Sequence, residues 1–78
     1  MARNSLKAGH AQAKRAAQAF ARGKCLDAGV AIDRAWIEYG AGKARGASRT
    51  SLTRLKRAIE ATDHAFERRC VRKHPTKR

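Results

Sequence analysis

Apolar residues along this 78-residue chain recur every three or four positions, and no window alternates apolar with polar residues. Each patterned segment therefore predicts a helix rather than a half-buried strand. In the first, Leu6, His10, Ala13, Ala17 and Phe20 share one side, while Lys7, Lys14, Arg15, Gln18 and Arg22 share a neighbouring one. This predicts a helix over about 5–22, with Asn4 or Ser5 as its cap. Gly23 then ends it, in the position that favours a left-handed residue.

The second segment, about 26–39, has apolar residues on two sides: Ala28, Ile32, Ala35, Trp36 and Tyr39 on one, Val30 and Ile37 nearly opposite. A helix of this kind is expected to be the central element, covered on both flanks. The third segment, about 51–73, carries Leu52, Leu55, Ile59, Thr62, Phe66 and Cys70 at spacings of three and four. Thr50 or Ser51 is its expected cap, and Pro75 its stop. Residues 40–50 read as a basic, glycine-rich connector and 74–78 as a basic C-terminal tail. The expected fold is all-α: a single small three-helix domain made of an antiparallel helical hairpin and a long third helix.

The run AAQAFARGKCLDAGVAIDRAW resembles the helix-turn-helix unit of a tetratricopeptide repeat. Phe20 stands as the aromatic before the turn, Gly23 as the turn glycine, and Ala28 and Ala35 as the small pair on the second helix. The turn is one residue short, the closing proline is missing and no second copy follows. What the resemblance implies is an antiparallel helical hairpin, and nothing about function. The alanines alone point the same way, because small residues let two helix axes approach closely.

Composition changes this picture in one respect. Hydrophobic residues make up 42% of the chain, but 17 of them are alanine, leaving 16 larger ones to build a core. Burying a large side chain contributes roughly 1.5–3 kcal/mol, against a backbone entropy cost of about 1–2 kcal/mol per residue. So thin a core predicts a marginal monomer and makes a homo-oligomer or larger assembly an expected source of further burial.

Charge points to the partner. Nineteen Lys and Arg face six acids, a net charge of +13, and such a chain attracts polyanions. The cations fall in three blocks, residues 1–26, 43–59 and 68–78, separated by short acidic stretches. Arg68, Arg69, Arg72 and Lys73 lie near the end of the third helix, where the helix dipole favours cations. Arg54, Lys56 and Arg57 lie near its start, where the dipole disfavours them, so they call for another explanation. The expected contacts to nucleic acid are Lys7, Lys14, Arg15, Arg22, Lys43, Arg45, Arg49, Arg54, Arg57, Arg68 and Arg72. They would hold the phosphate backbone of DNA or RNA with low sequence specificity. The alternative is a small protein-binding subunit or inhibitor that docks a basic face on an acidic partner, for example as a phage-encoded protein or virion component.

Other chemistry finds little support. Gly42-Lys43 is followed by Ala44 and preceded by a helix, which excludes a nucleotide-binding P-loop. Cys70 and His74 are four apart, but a closed zinc site needs two more ligands, and Cys25 is 45 residues away. No pocket-forming glycine turn or orienting acid accompanies either cysteine, as a nucleophile would require. No metal, cofactor or enzymatic activity is expected. Trp36 and Tyr39 share a face with Ile32 and Ala35, which suits core packing better than base stacking. Buried free thiols are expected in preference to a Cys25–Cys70 bridge, and free thiols suit a reducing, cytoplasmic setting. The first twenty residues carry four cations and no apolar run, unlike a signal peptide. No segment approaches transmembrane length, and a membrane-surface role competes with the core for the same apolar stripes.

Overall fold

In the computed structural model, α1 spans Ala2–Ala21, α2 Cys25–Ala44 and α3 Arg49–Phe66, and a π-helical turn, Glu67–Val71, continues α3. The structure describes the backbone of residues 2–71 and the side chains of residues 4–71. Among these there is no strand, and all three helices touch one another. The expected C-terminal tail, Pro75 and the last residues of the expected third helix lie outside the described residues.

Glycines locate the helices relative to one another. A Cβ added at Gly9 would lie 2.7 Å from Leu55 Cδ2 and 3.4 Å from Glu38 Cβ. One at Gly42 would meet Leu6 and Leu52, and one at Gly29 would meet Phe66. The start of α1 therefore lies beside the end of α2 and the start of α3, and the order is up-down-up. The antiparallel α1–α2 hairpin follows, as the alanine spacing implies.

The core is built mainly from small residues. Of nine buried apolar residues among the described residues, five are alanine (Ala13, Ala16, Ala28, Ala31 and Ala35), joined by Phe20, Ile32, Leu55 and Ile59. Alanine lets α1 and α2 close on each other, and Leu55 and Ile59 from α3 seat fully buried in the same cluster. Leu6, Trp36, Tyr39 and Phe66 pack around it. Trp36 and Tyr39 meet edge to face, with ring centroids 5.7 Å apart, so both rings are engaged in packing.

Three boundaries differ from the pattern-based expectation. Neither Asn4 nor Ser5 caps α1, because the helix already includes both and Ser5 is buried. Packing on that face outweighs the local capping preference. The glycine-rich stretch expected as a connector from residue 40 is still helix as far as Ala44. Gly42 is buried in α2 where Leu6 crosses, so this glycine serves close approach rather than chain reversal. The third helix begins at Arg49, earlier than expected, and its cap is Ser48 rather than Thr50 or Ser51. The Ser51 N–H donates to Ser48 Oγ at 3.2 Å, and the Ser48 hydroxyl donates to Ser51 Oγ at 2.9 Å.

Both turns close in the same way. Gly23 has φ +79° and Gly46 φ +86°, the left-handed geometry that costs glycine little. At the first turn, Gly23 N–H donates to Phe20 O and Lys24 N–H to Ala19 O. At the second, Gly46 N–H donates to Lys43 O and Ala47 N–H to Gly42 O. Each is a Schellman pair that satisfies the last carbonyls of its helix.

Two expectations about surface and covalent structure are overturned. Cys25 and Cys70 form a disulfide rather than free thiols, with Cα atoms 5.7 Å apart. The up-down-up order brings the start of α2 and the π turn to one end of the bundle, within bonding reach. The case for a reducing compartment that rested on free thiols falls with it. The second apolar side of α2 is also not covered: Leu26 is 83% exposed, Ile37 68% and Val30 45%. Three helices in mutual contact leave each with one outward face, and α2 turns this one outward.

Glycine substitutions test the packing. Gly9→Ala should destabilise the protein by about 1–2 kcal/mol in urea unfolding, because overpacking against buried Leu55 exceeds the gain in helix propensity. Gly40→Ala, in a helix and with open space around it, should instead stabilise by about 0.5–1 kcal/mol. Equal effects of the two would show that Gly9 is not a contact point. Separately, the bridge spans a sequence separation of 45. Replacing Cys25 and Cys70 together by Ser should lower stability by up to about 4 kcal/mol in the same assay, and an unchanged midpoint would show that the bridge contributes nothing.

Candidate nucleic-acid interface

The cations of α1 sit where the core does not. Ser5, Gly9, Ala13, Ala16 and Phe20 are the buried line of this helix. At about 100° per residue, Lys7, Lys14 and Arg15 fall within an arc of about 100° on the opposite side, with Gln18 between them, and Arg22 follows in the turn one residue past α1. All four cations are exposed. The two pairs repeat at seven residues, Lys7 with Lys14 and Arg15 with Arg22, so the arc runs the length of the helix. The absence of any acid from residues 1–26 keeps its field single-signed.

On α3, the buried line runs through Leu55 and Ile59, and Arg54 and Arg57 are exposed away from it. Thr53 and His64 are exposed on the same side and offer hydrogen-bonding groups beside Arg57. Arg49 is the first residue of α3, and neither its first turn nor that of α1 contains an acid. Arg54, Lys56 and Arg57 therefore have no acid upstream in their own helix to offset the dipole.

Residues 43–49 form a compact basic corner rather than a long loop. Lys43 lies in the last turn of α2, Arg45 is its C-cap, and Arg49 opens α3. The corner is short because Gly46 reverses the chain at once and Ser48 starts the next helix. Lys43 and Arg45 gain from the negative end of α2, while Arg49 faces the positive end of α3. All three are exposed.

Arg68 is exposed in the π turn, not on a regular continuation of α3. A wheel drawn at α-helical pitch does not carry through residues 67–71, so the expected single line from Arg54 to Arg72 is broken there. Arg72 lies outside the described residues. The sequence-predicted cations thus fall on an α1 face, an α2–α3 corner, an α3 face and the π turn. In the up-down-up order α1 and α3 run in the same direction and are in contact.

Asp33 and Asp63 line a separate groove of about 380 Å³ with Leu26, Gly29, Val30 and Phe66, beside the disulfide. It has none of the expected cations in its lining, and periodicity alone did not reveal it, because it is formed by the ends of two helices that are far apart in sequence. Among the described residues, no three His, Cys, Asp or Glu side chains gather as a metal site needs, and His74 lies outside them. No described helix is long and apolar enough to cross a membrane. No protein-family model matches this chain, and no curated protein or solved structure matches it either.

Proposed function

We propose that this chain is a small, non-enzymatic nucleic-acid-binding protein that holds the phosphate backbone with low sequence specificity. The observation that supports this most is the arc of Lys7, Lys14 and Arg15, followed by Arg22 in the turn, exposed opposite the core and without an acid in that part of the chain. Arg54 and Arg57 extend the basic surface on α3, and Lys43, Arg45 and Arg49 extend it at the corner. The arc of α1 runs about 22 Å from Lys7 to Arg22 at 1.5 Å per residue, long enough to follow several phosphates.

Backbone contact rather than base reading fits the residue types. Trp36 and Tyr39 pack against the core cluster, which leaves no aromatic platform of the kind that stacks single-stranded bases. Arg and Lys on regular helical faces supply charge and hydrogen bonds to phosphates, contacts that carry no sequence information directly. The other reading, a basic face docked on an acidic protein partner or assembly, uses the same cations. It differs in predicting dependence on one block rather than on all of them.

Fluorescence anisotropy with labelled duplex DNA, single-stranded DNA and RNA across a salt series separates the two. Neutralising roughly six to ten phosphates should cost about 10³–10⁵ in affinity between about 50 and 200 mM salt. Lys14→Ala with Arg15→Ala, and Arg54→Ala with Arg57→Ala, should each lower the salt slope by about two. No binding at the lowest salt would overturn the proposal. Loss of all binding through a single pair would favour the protein-docking reading.

A further inference from the structure

We propose that the Cys25–Cys70 bridge is a redox latch. Thiol reductants open it and release the turn Glu67–Val71 from α2, while the three-helix core stays folded. The latch does not depend on the basic faces binding nucleic acid. It follows from how this turn is held. Glu67–Val71 has no buried residue, and the element it packs against is α3, which it continues. The side-chain hydrogen bonds of the described residues lie elsewhere, between Ser48 and Ser51 and from Thr62 to Ala58 O. Apolar packing stops one turn earlier. Phe66 packs on the core cluster and faces Gly29 of α2, whereas Val71 is 52% exposed. The disulfide is therefore what fixes the turn beside the start of α2.

The core, in turn, does not contain the bridge. Its contribution from α3 is Leu55 and Ile59, and Cys70 lies 11 residues past Ile59, about three helical turns away. Cys25 and Cys70 are both half-buried rather than enclosed. Cys25 also lines the groove of about 380 Å³, so a small thiol reaches this side of the bond from a space of ligand size.

The exchange balances with no group beyond the reductant. A thiolate of the reductant attacks one bridge sulfur, forms a mixed disulfide with it and expels the other cysteine as a thiolate. A second reductant thiolate attacks the mixed disulfide and expels the remaining cysteine. Each cysteine sulfur takes up a proton, the bridge gains two electrons, and two reductant thiols become one disulfide. An anionic thiol peptide such as glutathione is drawn toward a chain of net charge +13. The latch is closed in an oxidising setting and open in a reducing thiol pool. What opening changes is the placement of Arg68 and Arg69, exposed cations of the turn that the bond holds near α2.

Equilibration with glutathione redox buffers, followed by alkylation and mass measurement, reads the bridge directly. Excess reduced glutathione should open it in more than about half of the molecules. Amide hydrogen exchange then locates the release. Reduction should lower the protection of residues 67–71 by about tenfold or more, while Leu55 and Ile59 stay protected by about a hundredfold or more. Cys25→Ser with Cys70→Ser should give the same pattern without reductant. Carrying that pair on Gly40→Ala offsets part of its lost stability. A bridge that glutathione leaves intact would overturn the proposal. So would a turn as protected after reduction as before, or a loss of protection at Leu55 and Ile59 as complete as in the turn.

Discussion

The close approach of α1 to α2 is the constraint on which the rest of the structure depends. Ala13, Ala16, Ala28, Ala31 and Ala35 are all buried, and with Gly9 and Gly42 they form a seam with almost no side-chain bulk. Such a seam contributes little through hydrophobic area, since alanine removes little surface from water. It contributes mainly by bringing two backbones near enough for dense dispersion contact and by leaving room for a third helix. Leu55 and Ile59 then provide the largest fully buried side chains among the described residues. Leu55 can sit where it does only because position 9 lacks a Cβ. The disulfide between Cys25 and Cys70 ties the far end of this third element back to the start of α2, which compensates for a small core by limiting the unfolded chain.

A core this narrow leaves each helix with a broad outward face, and the three faces differ chemically. That of α1 carries Lys7, Lys14, Arg15 and Arg22, and that of α3 carries Arg54 and Arg57. The outward face of α2 carries Leu26, Val30 and Ile37 with Asp33 and Arg34 between them. Positive charge and apolar surface are thus segregated onto different helices.

Helix number and order, and the buried lines of α2 and α3, were legible in the sequence, because they depend on local periodicity and on small residues at helical spacing. The line of α1 was not. The expected Leu6, His10, Ala13, Ala17 and Phe20 give way to Ser5, Gly9, Ala13, Ala16 and Phe20, a face of small residues turned to α2, and His10 is exposed. Gly23, again from local pattern, was legible as a terminator, and its φ of +79° agrees. Gly42 was not: in a run with Gly40 and Gly46 it looks like loop, and only the position of Leu6 on another helix shows why α2 continues past it. The Ser48 cap was hidden by three other hydroxyl residues close behind it, Thr50, Ser51 and Thr53, whose local preferences are alike. The disulfide depended on where two helix ends meet, information that no spacing along the 44 intervening residues contains. The second apolar side of α2 was visible as a pattern. Its exposure was not, since a wheel shows which residues share a face and not whether anything covers it. The cations were legible as types, as blocks and, on α1, as one side of the helix; the fold adds that this side lies opposite the core rather than beside it.

Segregation of the basic and apolar faces is the central claim, and amide chemical-shift mapping tests it most directly. A ¹⁵N-labelled sample would be titrated with a short DNA duplex at low salt and a fixed protein concentration. The largest shifts should fall on Lys7, Lys14, Arg15, Arg22, Arg54 and Arg57, with Leu26, Val30 and Ile37 unmoved. Shifts centred on the α2 ridge, with the α1 arc unmoved, would contradict the account.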